Sequence, residues 1–215
     1  MKKKLLGAAL AVVMGVSGCA QDAAGGGNAA GGSVGISSDD ALVYAADQDL
    51  DRVFVVDTKT NEVIHAVKVG RQPEKVLVAP DDTVYVTNRL GRSVSIIRRG
   101  DTEETARLDT AVEPVGLAVS SDGKTLYVVN ATSREDSDFG TLMAFDTATL
   151  SLKWETPVGQ EPRGLTLQGN KAVVSLYKKG DLVMVDTATG QVTKSGTDVF
   201  ERLNAAALGI TTPGQ

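Results

Sequence analysis

From residue 41 onward, short apolar segments alternate with polar turns, and the segments follow one another in pairs. The first members of the pairs are LVYAAD at 42–47, TVYVTN at 83–88, TLYVVN at 125–130 and KAVVSL at 171–176. The second members read RVFVVDTKT, SVSIIRRGD, TLMAFDTAT and DLVMVDTAT. Short runs rich in β-branched and aromatic residues, bounded by Asp, Thr and Gly, are typical of β-strands. The pattern predicts repeated pairs of strands, with little helix before residue 198.

The repeated segments keep a common register along the chain. One position of the repeat is occupied by Tyr44, Tyr85, Tyr127 and Val173. In the third unit, Asp146 and Pro162 both come six residues later than the other units require. A single insertion between Asn130 and Gly140 explains both offsets. Chance similarity among short strands would not hold this register, so the chain contains a true structural repeat.

Each unit contains two further strand signals. An inner strand lies in the segments EKVLVAP, VGLAVSS and RGLTLQG, and a more polar strand follows the second apolar segment. A period near forty residues that holds four short strands is the signature of a propeller blade. The most polar strand belongs at the outer edge, where charge discourages edge-to-edge pairing. The sequence therefore predicts an all-β chain of four-stranded antiparallel blades, about four repeats in number.

The motifs of the repeat resemble a known family. The literal YVTN at Tyr85–Asn88, with VGxxP, SxDGK and VDTxT elements around it, is similar to the YVTN-type β-propeller repeat over residues 41–197. The resemblance implies a β-propeller. Members of that family include surface-layer proteins, lactonase-like proteins and relatives of amine dehydrogenase subunits, so the resemblance leaves the chemistry open.

The repeat is interrupted at both ends. It opens on the YVTN-like strand with no recognisable inner strand before it, and Arg202 stands where the next proline is expected. Residues 198–215 read as a short helix and tail, with Asp198 as N-cap and Gly209 just past the helix end. We expect three strands plus three full blades. Either the chain is part of a larger ring, which we favour, or it closes as a ring of four.

The first nineteen residues predict export and anchoring. Three lysines precede an apolar run from Leu5 to Val16, which is typical of a signal peptide and too short for an ordinary spanning helix. Val16-Ser17-Gly18-Cys19 resembles the lipobox of bacterial lipoproteins. The resemblance implies cleavage after residue 18, acylation of Cys19 and membrane attachment through it. The alternative is a loop or buried cysteine behind an ordinary signal. The resemblance also implies the outer membrane rather than the inner one, because residue 20 is Ala, whereas an aspartate there retains such lipoproteins in the inner membrane.

Composition and charge limit the kinds of partner and cofactor that the chain is expected to bind. Residues 19–40 contain the lipidated cysteine and a run of Gly, Ala and Ser that predicts a flexible tether. The net charge is −5, and removal of residues 1–18 takes away three lysines and no acid, which leaves −8. An acidic chain is a poor ligand for nucleic acid. A single cysteine excludes an internal disulfide, a CxxC metal site and CxxCH haem attachment, and we expect no cofactor.

Few residues suggest catalysis or metal binding. The single histidine, His65, lies on a predicted outer strand, so we expect a structural or surface role for it. No GxSxG motif accompanies it. Acidic side chains cluster in two turns of the repeat, and these weak metal candidates are Asp47, Asp49, Asp51, Asp136 and Asp138. The first turn lacks the glycine and closing glutamate of an EF-hand. We therefore expect polar turns without a bound metal.

Loops at one end of the blades hold a recurring set of polar side chains. In a propeller these loops open on one face, and here they include Arg71, Asn88, Arg89, Asn130, Arg163 and Lys178. Converging arginines and asparagines suit an anionic or polar partner, although charged residues also serve simply as loop residues.

Two functions remain open. One is a lipid-anchored binding or scaffold module of the bacterial envelope, facing the periplasm or cell surface. The other is part of a lactonase-like or amine-dehydrogenase-like enzyme whose catalytic or cofactor part lies outside this chain.

Overall fold

The computed structural model describes residues 32–133, 139–178 and 180–196. These residues form four separate antiparallel sheets of four strands each, and the strands of each sheet follow one another in chain order. The first blade consists of β1 (Val34–Ile36), β2 (Leu42–Asp47), β3 (Arg52–Asp57) and β4 (Glu62–Lys68). The second consists of β5 (Pro73–Val78), β6 (Val84–Asn88), β7 (Ser93–Ile97) and β8 (Ala106–Asp109).

The other two blades have the same order. The third consists of β9 (Val112–Val119), β10 (Thr125–Thr132), β11 (Gly140–Asp146) and β12 (Leu152–Gly159). The fourth consists of β13 (Pro162–Gln168), β14 (Lys171–Leu176), β15 (Asp181–Asp186) and β16 (Val192–Gly196). The first strands pack against one another in succession, β1 on β5, β5 on β9 and β9 on β13, so they are the inner strands. This is the arrangement of propeller blades around an axis.

Apolar side chains between consecutive blades form three cores. One core lies between the first and second blades around Tyr44, one between the second and third around Leu117, and one between the third and fourth around Tyr127. Every residue of β6 is buried because its blade is covered on both faces. The repeated tyrosines of the first three blades thus pack toward the following blade.

The first blade has an inner strand, which corrects the sequence prediction. Val34–Ile36 pairs with β2, so the tether does not extend to residue 40 and the first blade has all four strands. The turn after β1 repeats the turn after β9. Ser37 Oγ donates to Asp39 Oδ1 as Ser120 Oγ donates to Asp122 Oδ1. The motif was not recognised because Asp40 occupies the left-handed position that Gly123 fills in SSDGK.

Threonine-rich turns close the outer hairpin of three blades. The carboxylates of Asp57, Asp146 and Asp186 each accept backbone N–H groups from the residues two and three positions later. The pKa of each of these aspartates lies below its ordinary value, chiefly because of these hydrogen bonds. The VDTxT motif therefore fixes the turn between the third and fourth strands of a blade.

The four blades form an open arc. Among the described residues, no strand of the first blade packs on the fourth blade as consecutive blades pack on each other. The helix expected within 198–215 lies outside the described residues, as does Cys19. In the part of the chain that the structure describes, we find no helix of sufficient length and hydrophobicity to cross a membrane.

Candidate functional site

The loops at one end of the blades define a common surface, which we call the loop face. It comprises residues 48–51, 69–72, 89–92, 110–113, 160–163 and 177–178. Backbone hydrogen bonds hold neighbouring loops together. Arg89 N donates to Gln72 O at 2.9 Å, Gly91 N donates to Arg71 O at 3.1 Å and Tyr177 N donates to Glu161 O at 3.0 Å. The loop face is therefore an ordered surface in these regions.

Left-handed residues before proline direct the chain from the loop face into the inner strands. Gln72, Glu113 and Glu161 have φ values of 53°, 54° and 46°, and each precedes the proline that opens or lies within an inner strand. This conformation is uncommon for residues other than glycine and costs on the order of 1–3 kcal/mol. Its recurrence in three blades shows that the repeat maintains the same loop geometry at each blade.

The two asparagines expected on the loop face are fully buried. Asn88 Nδ2 donates to Ser93 Oγ at 3.0 Å and Ser95 Oγ at 2.8 Å, and Asn130 Nδ2 donates to Thr141 Oγ1 at 3.3 Å. Neither asparagine is exposed at all. The expectation that they contact a partner does not hold, because the last residue of the YVTN-like strand points into its own blade and bonds to the next strand.

Two of the expected cations are paired with acids. Arg89 donates to Glu113 Oε2 from Nε at 3.2 Å and from Nη2 at 3.0 Å, and lies 3.8 Å from Glu74. Because Arg89 belongs to the second blade and Glu113 to the third, the pair joins the two blades. Lys178 lies 2.8 Å from Glu161 and lowers the pKa of that carboxyl group. These cations stabilise loop positions.

Three other arginines of the loop face form none of the ion pairs found among the described residues. Arg71 is exposed, whereas Arg163 is half-buried and, together with Lys178, contributes to lowering the pKa of the Glu161 carboxyl group. Arg92, which the sequence analysis missed, is also exposed, and its φ of 49° matches that of Asp51 in the preceding blade. Arg92 could have been found from the sequence, because it immediately precedes the third strand of its blade, the position that Asp51 occupies in the first blade. Together these arginines form a cationic set on the loop face.

The candidate metal residues serve as turn residues where they are described. Asp47 Oδ1 accepts the N–H groups of Asp49 and Leu50, at 3.0 and 2.9 Å. Asp51 Oδ1 accepts Gln72 N–H at 2.7 Å and so ties the first blade to the second. Within the described ranges there is no group of three side chains that could hold a metal ion. Asp136 and Asp138 lie outside the described residues.

His65 lies on the outer strand of the first blade. It pairs with Val55 across the sheet and is partly exposed. This placement on β4, away from the loops of the loop face, matches the strand assignment made from sequence.

Two grooves lie at the opposite end of the blades from the loop face. The larger, about 520 Å³, separates the second and third blades and is lined by Asp81, Tyr85 and Arg98 among others. Burial raises the pKa of Tyr85 to about 12. The smaller, about 390 Å³, separates the third and fourth blades at Tyr127 and Trp154. The two grooves occupy equivalent places between consecutive blades. They therefore result from the way in which the blades pack on each other.

Comparison with known proteins supports the fold. No family model matches the chain. It is 31% identical to the Salmonella typhimurium protein YncE, described as uncharacterized, over 85 residues that make up 40% of this chain and 24% of YncE. A related YncE from Salmonella typhi matches to the same extent. The chain therefore spans about a quarter of the length of these curated relatives.

Solved structures match over more of the chain. Hydrazine synthase of Kuenenia stuttgartiensis is 25% identical, with a TM-score of 0.68 over 75% of this chain and 47% of that chain. A putative 6-phosphogluconolactonase of Bacteroides uniformis is 19% identical, with a TM-score of 0.62 over 77% of this chain and 53% of that one. Together with the four-stranded sheets, these similarities confirm the predicted all-β propeller fold.

Proposed function

We propose that the chain is a lipid-anchored binding module of the bacterial cell envelope, and that its loop face holds an anionic or polar partner. The observation that carries this proposal is the cationic set of Arg71, Arg92 and Arg163, which lies on one face of a chain with a net charge of −5. An arginine without an acidic partner is available for charge-assisted hydrogen bonds, which carboxylate and phosphate groups accept. The paired cations Arg89 and Lys178 hold the surrounding loops in place.

The loop face suits binding for a second reason. The faces of the middle blades are covered by their neighbours, so their strands are not accessible to a partner. The loops are accessible and, as described above, are tied together by backbone hydrogen bonds and ion pairs. A preorganised surface loses less conformational entropy on binding than a mobile one.

Photo-crosslinking in the bacterial envelope tests the loop face. A photoreactive amino acid replaces Leu90, an exposed residue of the loop face outside the cationic set, and in a control it replaces Lys124, an exposed residue in the turn at the other end of the blades. We expect crosslinks to an envelope component from position 90 and none from position 124. Equal crosslinking from both positions would show that the loop face has no selective role.

Anchoring through Cys19 is the second part of the proposal. The lipobox resemblance at Val16–Cys19 supports it, and acyl chains contribute about 0.8 kcal/mol per buried CH₂ to membrane attachment. We expect the protein to incorporate radiolabelled palmitate and to fractionate with the outer membrane. Cys19→Ala should remove the label, whereas Ala20→Asp should keep the label and move the protein to the inner membrane. Palmitate incorporation by the Cys19→Ala variant would refute this assignment.

A lactonase-like activity is the second candidate function. The support is the structural similarity to two Bacteroides proteins described as putative 6-phosphogluconolactonases, at 19% and 22% identity. Hydrolysis of 6-phosphogluconolactone by the purified chain, with loss of activity in His65→Ala, would favour this candidate over a binding module. Absence of turnover together with selective crosslinking from position 90 would favour the binding module.

A further inference from the structure

The two grooves between consecutive blades differ at one position of the fourth strand. Ile96 and Ala144 occupy equivalent places, since each pairs with the repeated tyrosine of its own blade. The fourth-strand partner of Ile96 is Ala106, whereas the partner of the equivalent residue in the third blade is Trp154. In the smaller groove the Trp154 ring lies 5.9 Å from the Tyr127 ring, measured between centroids. Because alanine has no comparable ring, the groove between the second and third blades, which we call the junction groove, is the larger, about 520 Å³ against about 390 Å³.

The facing residue on the following blade differs in the opposite sense. Leu150 closes the turn of the third blade at the place where Gly190 closes the turn of the fourth, and both have a positive φ. A Cβ at residue 190 would lie 2.7 Å from the Trp154 ring, so tryptophan and leucine do not fit together in one junction. Leu150 and Ala106 instead pack against the core of their own junction, and they give the junction groove an apolar lining.

The junction groove also contains an arginine at a position that is aspartate in the other three blades. Arg98 corresponds to the turn aspartates of the VDTxT motif, Asp57, Asp146 and Asp186. In the second blade Thr105 stabilises the turn instead. Arg98 N donates to Thr105 Oγ1 at 3.2 Å, and Thr105 Oγ1 donates to Asp101 Oδ2 at 2.7 Å. The turn is therefore closed without the side chain of residue 98, which lines the groove.

Arg98 and Tyr85 supply hydrogen-bond donors to the junction groove. Arg98 is exposed and forms none of the ion pairs found among the described residues, whereas its neighbour Arg99 pairs with two aspartates. Burial raises the pKa of Tyr85 to about 12, with smaller opposing effects from the charges of Asp81 and Arg98, so its hydroxyl keeps its proton at neutral pH. The equivalent Tyr127 hydroxyl donates to a carbonyl of the following blade at 3.5 Å, and Tyr85 forms no such bond among the described residues.

We propose that the junction groove binds a small monocarboxylic acid with an apolar body. Arg98 pairs with the carboxylate, and the Tyr85 hydroxyl donates a hydrogen bond to it. The apolar body contacts Ile96, Ala106 and Leu150. Asp81 also lines the groove and repels a second negative charge, so a monoanion fits better than a phosphate dianion. An apolar cleft with a few polar groups that fix orientation is typical of small-molecule sites. The proposal is independent of the proposed function, because this groove lies at the opposite end of the blades from the loop face.

Methyl NMR of the full chain tests the site with hydrocinnamate as the probe. Titration should shift the methyl signals of Ile96 and Leu150 along one saturable curve and leave those of Leu90, on the loop face, unchanged. Hydrocinnamyl alcohol has the same body without the charge and should bind at least ~10-fold more weakly, because it lacks the charge-assisted contact. Phenethyl phosphate, a dianion at about pH 8, should also bind more weakly than hydrocinnamate.

Two variants test the cation and the cavity separately. Arg98→Asp restores the turn residue of the other blades and should weaken hydrocinnamate at least ~10-fold. Lys59→Asp, the same charge change at an exposed turn residue of the first blade, should bind as the wild type does. Ala106→Trp combined with Leu150→Gly copies the neighbouring junction and should abolish the shift at Ile96 while Arg98 is retained.

Far-UV circular dichroism checks that each variant keeps its β-structure. The proposal would be overturned by a wild type that shows no saturable shift at ~10 mM hydrocinnamate, a concentration that would reveal even a weak small-molecule site. Binding that is unchanged in Arg98→Asp, or equal affinity for the acid and the alcohol, would also overturn it. Tighter binding of phenethyl phosphate than of hydrocinnamate would contradict the monoanion assignment.

Discussion

At the residue scale, the last position of the YVTN-like strand is structural. Asn88 is buried and donates hydrogen bonds to two serines of the adjacent strand, and its Oδ1 atom accepts no hydrogen bond from the described residues. The sequence established its position in the repeat, but a polar residue at a strand end is compatible with either an exposed or an inward orientation. Only the packing of Gly70 and Gly91 on the asparagine side chain shows which orientation applies.

Gly70→Ala tests this buried site. A Cβ at residue 70 would lie 2.5 Å from Asn88 Cγ, too close for a real contact, so the asparagine and its hydrogen bonds would have to shift. We expect the free energy of unfolding to fall by about 1–3 kcal/mol, the usual cost of overpacking. Gly32→Ala is the control, because its Cβ would have no contact closer than 3.5 Å. Chemical denaturation measures both variants, and equal stability for the two would contradict the described packing.

At the element scale, every strand except β1 was predictable from the sequence. Alternating patterns and turn motifs located the strands from β2 to β16, because each lies beside a turn with recognisable chemistry. β1 was missed since it has three residues and its turn contains Asp40 in place of the glycine of SxDGK. The hydrogen-bonding residues Ser37 and Asp39 were present in the sequence and identify the turn in hindsight.

The VDTxT turns predict a pH dependence of stability. The pKa values of Asp57, Asp146 and Asp186 are below the ordinary value of 3.8 in the folded protein. In the unfolded chain these carboxylates bind protons at a higher pH than in the folded protein. Their contribution to stability is therefore fully present above about pH 4 and is lost as the pH falls through the lower folded pKa.

Thermal unfolding measured from pH 7 to pH 2 checks this dependence. The melting temperature should fall below about pH 4, and Asp146→Ala should lower the melting temperature at pH 7 while reducing the difference between pH 7 and pH 2. Asp49→Ala is the control, because the Asp49 carboxylate accepts no hydrogen bond in the part of the chain described here. A pH difference unchanged by Asp146→Ala would show that the turn does not contribute in this way.

At the scale of the whole molecule, the sequence repeat predicted the propeller architecture, but it did not predict which charged side chains pair with each other at the ends of the blades. The column of Tyr44, Tyr85 and Tyr127 predicted blades that pack in succession, and the three cores follow that column. Which loop cations are available was not predictable, because Arg89 is paired only once Glu113 of the next blade is brought beside it. Contacts between residues of different blades depend on the three-dimensional arrangement of the repeats, which a linear pattern does not contain.

Binding through the loop face is the central functional claim, and the affinity of the partner captured at position 90 tests it most directly. Arg71→Ala combined with Arg163→Ala should weaken binding, with about 1.5–3 kcal/mol lost for each desolvated charge-assisted contact. The control combines Lys59→Ala with Lys124→Ala, which removes the same charge at the opposite end of the blades. We predict that titration calorimetry shows a loss of at least ~100-fold for the arginine pair and little change for the lysine pair. Unchanged affinity in the arginine variant, or equal weakening in both, would contradict the account.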